Sequence, residues 1–192
     1  MPQTVFSIEK LRSKVGNFAR GHRYNVIITP PAFLGAGGGP AGGGGGSFVT
    51  TEKLQYLCES VSLPTKGIAT NPHDIHGPPR EMAYRETFTE SALSFILDDE
   101  FTLKTYFDAW QAGIISPING NPSYYDDYKG TIKISRLSND ATDFTISSTQ
   151  YKVELLEAYP SAVGEVALGH SQGNEVLKLS VTFKYRRWNS IT

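Results

Sequence analysis

Three consecutive carboxylates, Asp98, Asp99 and Glu100, form the densest run of catalytic or metal-ligating residue types in the chain. They stand where an apolar 3.6-residue period begins. Helix N-termini offer unsatisfied N–H groups and a positive dipole end there, so capping accounts for the run without a site. His73 and His76 have a spacing compatible with metal binding, but no acidic or cysteine partner is arranged with them on a regular element, and they read as surface histidines. Cys58 is the only cysteine, which excludes an intramolecular disulfide and any multi-cysteine zinc site. It lies in the strand-like run L-Q-Y-L-C-E, with no helix N-terminus to lower its pKa, and reads as a buried inert thiol. Gly37, Gly39 and Gly42 satisfy G-x-G-x-x-G, but residues 35–46 hold nine glycines in twelve and no helix follows. The pattern is met by chance inside a flexible loop. G-x-S-x-G, H-E-x-x-H, C-x-x-C and a phosphate-loop lysine are all missing, and the four histidines (His22, His73, His76, His170) are scattered over loops and turns. The expectation is a protein without catalytic residues, cofactor or metal.

The totals agree with that. A chain of 192 residues is one domain by length and can bury a sizeable core. Its 18 basic and 19 acidic residues leave a net charge of -1, which argues against a dedicated nucleic-acid binder. No apolar run approaches the roughly 20 residues needed to span a bilayer, and the N-terminus lacks a signal-peptide apolar core. The protein is expected to act where it is made, in a reducing cytoplasm, or to leave by assembly.

The elements follow from periodicity. The last stretch, residues 174–188, alternates strictly: Leu177, Leu179, Val181, Phe183 and Tyr185 are apolar, and Lys178, Ser180, Thr182, Lys184 and Arg186 are polar. That predicts one long strand with a dry and a wet face, spanning roughly 50 Å. Residues 4–15 place Ile8, Leu11 and Val15 on one stripe of a short N-terminal helix that needs a surface to lie on. Strands are predicted at 23–29, at 54–63, and at 82–97, the last with a bulge where the apolar phase shifts between Phe88 and Leu93. Leu103, Phe107, Trp110 and Ile114 define the clearest helix, over 98–114. Residues 64–81, with four prolines, read as a long loop of the functional or partner-bound kind. In the loop 116–130, Tyr124, Tyr125 and Tyr128 are either interface anchors or packing onto their own domain. Further strands are expected at 130–137, 144–147 and 150–157, with Tyr159-Pro160 breaking the chain. The fold class is mainly β: an antiparallel sandwich or barrel with one packed helix (about 98–113) and a short N-terminal helix. The whole chain makes one domain, with a Gly-rich insertion at 35–47.

The order of several blocks is more specific than any one of them. G-N-F-A-R at 16–20 precedes Y-N-V-I-I, C-E-S-V-S-L-P at 58–64 and R-E-T-F-T at 85–89. The helix L-D-D-E-F with F-D-A-W-Q at 107–111, Y-P-S-A-V-G-E-V at 159–166 and N-E-V-L-K-L-S-V-T-F-K-Y at 174–185 follow. In this order, from Gly16 to Trp188, the chain resembles the tail tube proteins of contractile-tailed bacteriophages. The polyglycine stretch departs from the pattern.

The resemblance implies a structural virion protein that self-assembles into homohexameric rings. Stacked rings form the tail tube through which the genome passes during ejection. It implies assembly in the host cytoplasm and contacts with tail sheath, baseplate and tail terminator proteins. DNA would transit the lumen without specific binding, and no membrane is involved. Carried onto this sequence, the segment that grips the next ring corresponds to 64–81 (Ile68, Asn71, Asp74, Ile75, Pro79). Ile8, Leu11 and Val15 of the N-terminal helix could make similar contacts. The wet face of the last strand (Lys178, Ser180, Thr182, Lys184) would line the channel. Strand edges that would be an aggregation hazard in a monomer become joints between subunits. Other readings are a baseplate tube-initiator ring of the same fold, the needle protein of a type VI secretion system, a monomeric carbohydrate- or ligand-binding β-sandwich, and a small hydrolase.

Overall fold

The computed structural model describes residue 8 and residues 18–34, 49–74, 77–138, 149–169 and 176–191. Leu11, Val15, the Gly-rich segment, Ile75, His76, His170 and the strand expected at 144–147 lie outside the described residues; Ile8 is helical and exposed.

One antiparallel sheet of seven strands carries the fold. Its strands are β1 (Tyr24–Thr29), β2 (Cys58–Val61), β5 (Ser91–Ile96), β6 (Gly130–Leu137), β7 (Thr149–Val163), β8 (Lys178–Lys184) and β9 (Arg187–Ile191). The order is β1-β6-β7-β8-β5-β2, with β9 also on β7. A separate two-stranded ribbon consists of β3 (Lys66–His73) and β4 (Arg80–Phe88). Among the described residues, besides Ile8, the helices are a 3-10 turn at Ala32–Leu34, α1 (Thr51–Leu57), α2 (Thr102–Ile114) and the single turn α3 (Tyr125–Tyr128).

The longest strand is β7, and it holds the two halves together. Its first part pairs with β6 and β9, and its last part, Tyr159 to Val163, with β8. The expected break at Tyr159-Pro160 is a bend and not an end. Pro160 stays in the ladder opposite Phe183, and the register slips between Pro160 and Ala162. Glu157, just before, has φ 57°. A proline beside a bulge leaves the chain in extended conformation while turning it from one half-sheet to the other.

The final stretch is correspondingly shorter than its alternation predicts. It bends at Tyr185-Arg186, where the Arg186 amide donates to the Leu156 carbonyl, and so divides into β8 and β9. The alternation runs only to Arg186, and β9 restarts out of phase with Trp188 as its one half-buried residue. Similarly, 82–97 is two strands and not one bulged strand. The phase shift marks Thr89-Glu90, where the chain leaves the ribbon and enters the main sheet. Residues 54–63 begin as helix: the Thr50 hydroxyl accepts the Lys53 amide at 3.2 Å, and Leu54 is buried. The Thr50 cap, not the apolar alternation, decides that turn. The expected loop 64–81 is mostly strand, because a two-stranded ribbon satisfies its backbone by pairing and needs no core-facing side chains; Gly77, at φ 84°, sits between the two strands.

The inward residues of both half-sheets share one core with α2. Phe107 and Trp110 pack their rings against Phe183 at 6.0 and 6.2 Å, and Phe107 lies 5.3 Å from Phe95. Trp110 donates its indole N–H to the Tyr128 carbonyl at 2.9 Å. Gly130 lets Trp110 approach β6 closely, since a Cβ there would come within 2.9 Å of the indole ring. The outer strands β1 and β2 are not paired with each other. The Tyr24 hydroxyl donates across the opening to the Cys58 carbonyl at 2.9 Å and also to that of Glu59, so the barrel is latched but not closed.

Candidate assembly and channel surfaces

The residue types that could do chemistry are occupied with structure. Asp98 Oδ1 accepts the Thr102 amide at 3.0 Å, and Oδ2 accepts the Thr102 hydroxyl at 2.6 Å and the Lys53 ammonium at 2.8 Å. Burial alone would raise its pKa, but the hydrogen bonds from Lys53 and Thr102 outweigh that and bring it to about 2. The carboxylate thus serves the start of α2, which itself begins at Thr102, later than the sequence predicts. Burial pushes the Cys58 thiol up to about 12, the opposite of what a nucleophile needs. His73 ends β3 on the exposed ribbon. Among the described residues no three His, Cys, Asp or Glu side chains group as a metal site, and no helix is long and apolar enough to cross a membrane.

Two surfaces remain, and both are built by strands. The first is the outer face of the half-sheet β7-β8-β5-β2. Leu179, Val181 and Phe183 point into the core, so Lys178, Ser180, Thr182 and Lys184 point out, as the alternation predicts. The cross-strand register shows what the sequence reading missed: Ser180 lies opposite Ser94, which lies opposite Ser60, and Thr182 lies opposite Ala92 and Ala162. The middle of this face is therefore small and uncharged. Ion pairs flank it. Lys178 reaches across β5 to Glu59 at 2.5 Å, and Lys184 meets Glu90, just before β5, at 3.2 Å. The S-A-L-S-F-I alternation of β5 signals that Ala92 and Ser94 share one face opposite Leu93 and Phe95, but only the sheet order sets them beside β8.

The second surface is the β3-β4 ribbon, exposed along nearly its whole length. Ile68 is 62% exposed, Met82 54% and Tyr84 65%. A ribbon this exposed with large apolar side chains is unusual for a free monomer, since two strands alone are marginally stable in water. Asn71 and Asp74 lie toward the tip of β3 and Pro79 just precedes β4. The ion pair Lys66–Glu86, at 2.6 Å, and the hydrogen bond from Thr70 to Glu81, at 3.3 Å, tie its two strands together.

The tyrosines of 116–130 divide. Tyr125 and Tyr128 stack edge-on at 5.4 Å, and Tyr128 stacks likewise on Tyr159 at 5.4 Å, so both pack on their own domain. Tyr124 is 83% exposed. Beside this cluster, at the root of the ribbon, lies an open cleft lined by Phe88, Glu90, Tyr125, Tyr159, Tyr185 and Arg186.

This architecture recurs in subunits of contractile injection machines. A chain in the cryo-EM structure of the PVC sheath-tube complex, an extracellular contractile injection system in its extended state, is similar with TM-score 0.61 at 14% identity; the match covers 97% of this chain and 98% of that one. A chain in the tube-terminating cap of the anti-feeding prophage has TM-score 0.62 at 16% identity, covering 100% and 99%. One in the six-fold symmetrised baseplate of the same particle has TM-score 0.61 at 12% identity, covering 92% and 97%. At these identities the likeness is one of fold. No curated protein matches the sequence. The sequence profile of the phage tail tube proteins, however, matches residues 19–191, and the chain belongs to that family. Its role is that of a structural tube protein and not of an enzyme.

Proposed function

We propose that this chain is the major tube protein of a contractile tail. It assembles as homohexameric rings that stack into a tube, and the genome passes through the lumen during ejection. The observation that carries this reading is the β3-β4 ribbon, whose Ile68, Met82 and Tyr84 are exposed and unburied by the rest of the protomer. Such a ribbon has a use only where a neighbouring subunit covers it. Ile68, Asn71, Asp74, Ile75 and Pro79 grip the next ring, and Ile8, Leu11 and Val15 add to that contact. The outer face of β8 (Lys178, Ser180, Thr182, Lys184) lines the channel. Support for sixfold rings comes from the similar chain in a six-fold symmetrised baseplate. Support for sheath, baseplate and terminator as partners comes from the assemblies in which the similar chains occur.

Deleting residues 68–79 tests the ribbon. Rings are expected to persist by native mass while electron micrographs show no tubes. Tubes of normal length from the deleted chain would overturn the assignment. Copy number per particle separates this reading from a baseplate tube-initiator ring, which would be present as a few rings only.

A further inference from the structure

The face assigned to the channel carries two lysines, and both are matched. Among the described residues of β8, β5, β2 and the Tyr159–Val163 part of β7, Lys178 and Lys184 are the only cations on the outer face, and each meets one glutamate from another part of the chain. Neither glutamate supports the core. Glu59 stands on the outer edge strand β2 and Glu90 in the two-residue link between β4 and β5, and all four side chains are a third to a half exposed. Exposed pairs of this kind add little to fold stability. Their placement at the two ends of a surface whose middle is Ser60, Ala92, Ser94, Ala162, Ser180 and Thr182 is what calls for a use.

We infer that Glu59 and Glu90 are neutralising residues that keep this wall from holding a polyanion. A phosphate backbone gains affinity for each lysine it meets by releasing condensed counterions, and log K then falls with log salt by about 0.9 for each such contact on duplex DNA. A lysine already held by a carboxylate must break that pair before it can displace a counterion. Among its described residues, this patch of β8, β5 and β2 therefore offers a passing duplex small hydroxyls and methyl groups between two paired lysines, and the repeat of the same subunit leaves no ring at which DNA would stall on it. This inference rests on the channel assignment above and names the residues that set its behaviour toward DNA.

The test uses full-length chains assembled into tubes, with a short fluorophore-labelled DNA duplex as probe. Wild-type tubes should retain the duplex weakly, with little dependence on salt. E59Q/E90Q frees both lysines without changing side-chain size, and its log-log salt slope should steepen by about 0.9 per freed lysine. E90Q alone should give about half that change, which keeps the test alive where the double variant assembles poorly. Adding K178Q/K184Q to E59Q/E90Q should return the wild-type slope; a slope that stays steep would show that other groups hold the duplex. A slope unchanged in both glutamine variants overturns the inference. A second readout separates this from failure of the channel assignment. Ser180→Cys in assembled tubes should react with a small maleimide but not with one attached to a polymer too wide for the lumen. Buried Cys58, its thiol pushed to about 12, gives no competing signal. If S180C takes up both reagents, the face is not luminal and the reading beneath the inference falls. If S180C is protected and the slopes do not move, only the inference falls.

Discussion

Asp98 shows how little a residue's chemistry says before its neighbours are known. It is one of three carboxylates in a row, and the structure spends it on the first turn of α2 through Thr102 and Lys53. Its folded pKa of about 2 lies below the ordinary value near 3.9, so its contribution is complete above about pH 4. That contribution is lost as the pH falls through about 2. Asp98→Asn should lower unfolding free energy by about 1.5–3 kcal/mol at pH 7, the range for hydrogen bonds to charged groups. Urea melts of both proteins should converge as the pH is taken from 4 toward 2. An undiminished difference at pH 2 would mean that the charge is not the cause. Gly130 is a second decisive residue. An alanine Cβ there would sit 2.7 Å from the Thr29 carbonyl oxygen and 2.9 Å from Trp110, and the first of these is backbone that cannot step aside. Gly130→Ala should cost about 1–3 kcal/mol, as overpacked cores do, read as a lower denaturation midpoint at unchanged slope.

Among the elements, the ribbon and α2 are opposites. α2 buries Leu103, Phe107 and Trp110 in the core of its own subunit, and its stripe was plain in the sequence because burial imposed it. The ribbon buries almost nothing; 82–88 still reads as strand, but β3 carries no apolar period, and the four prolines of 64–81 point to a loop there. The difference yields a prediction. Ile68→Ser with Tyr84→Ser should leave the unfolding free energy of the isolated subunit within about 0.5 kcal/mol of wild type, as exposed substitutions do. The same pair should reduce tube length or abolish tubes in electron micrographs. A large loss of subunit stability would show that the ribbon supports its own fold. The break at Thr89-Glu90 belongs here too. The shift of apolar phase between Phe88 and Leu93 marked it, but a bulge and a change of sheet leave the same trace in sequence.

At the scale of the molecule, the open side between β1 and β2 sets the shape. α1 packs beside β1, and the Tyr24 hydroxyl spans to the Cys58 and Glu59 carbonyls. Tyr24→Phe keeps the ring and removes only the latch. It should cost about 0.5–1.5 kcal/mol, the net worth of an intramolecular hydrogen bond. Hydrogen exchange at the β2 amides should speed up while that of β6 and β7 stays as in wild type. Uniform acceleration across all strands would show that the latch is not local.

The sequence by itself determined the side-chain pattern of β8, the existence of β6, the buried stripe of α2, the antiparallel β class and, through the order of its motifs, the tail tube family. Those are properties that alternation and burial write into residue types. Only the tertiary structure decided where strands end and which lie side by side. Pro160 reads as a stop but stays in β7, because a bulge absorbs its missing N–H. Glu59 and Glu90 read as ordinary surface charges until sheet order sets them beside Lys178 and Lys184. Strand order is fixed by contacts distant along the chain, and no local window of sequence contains them.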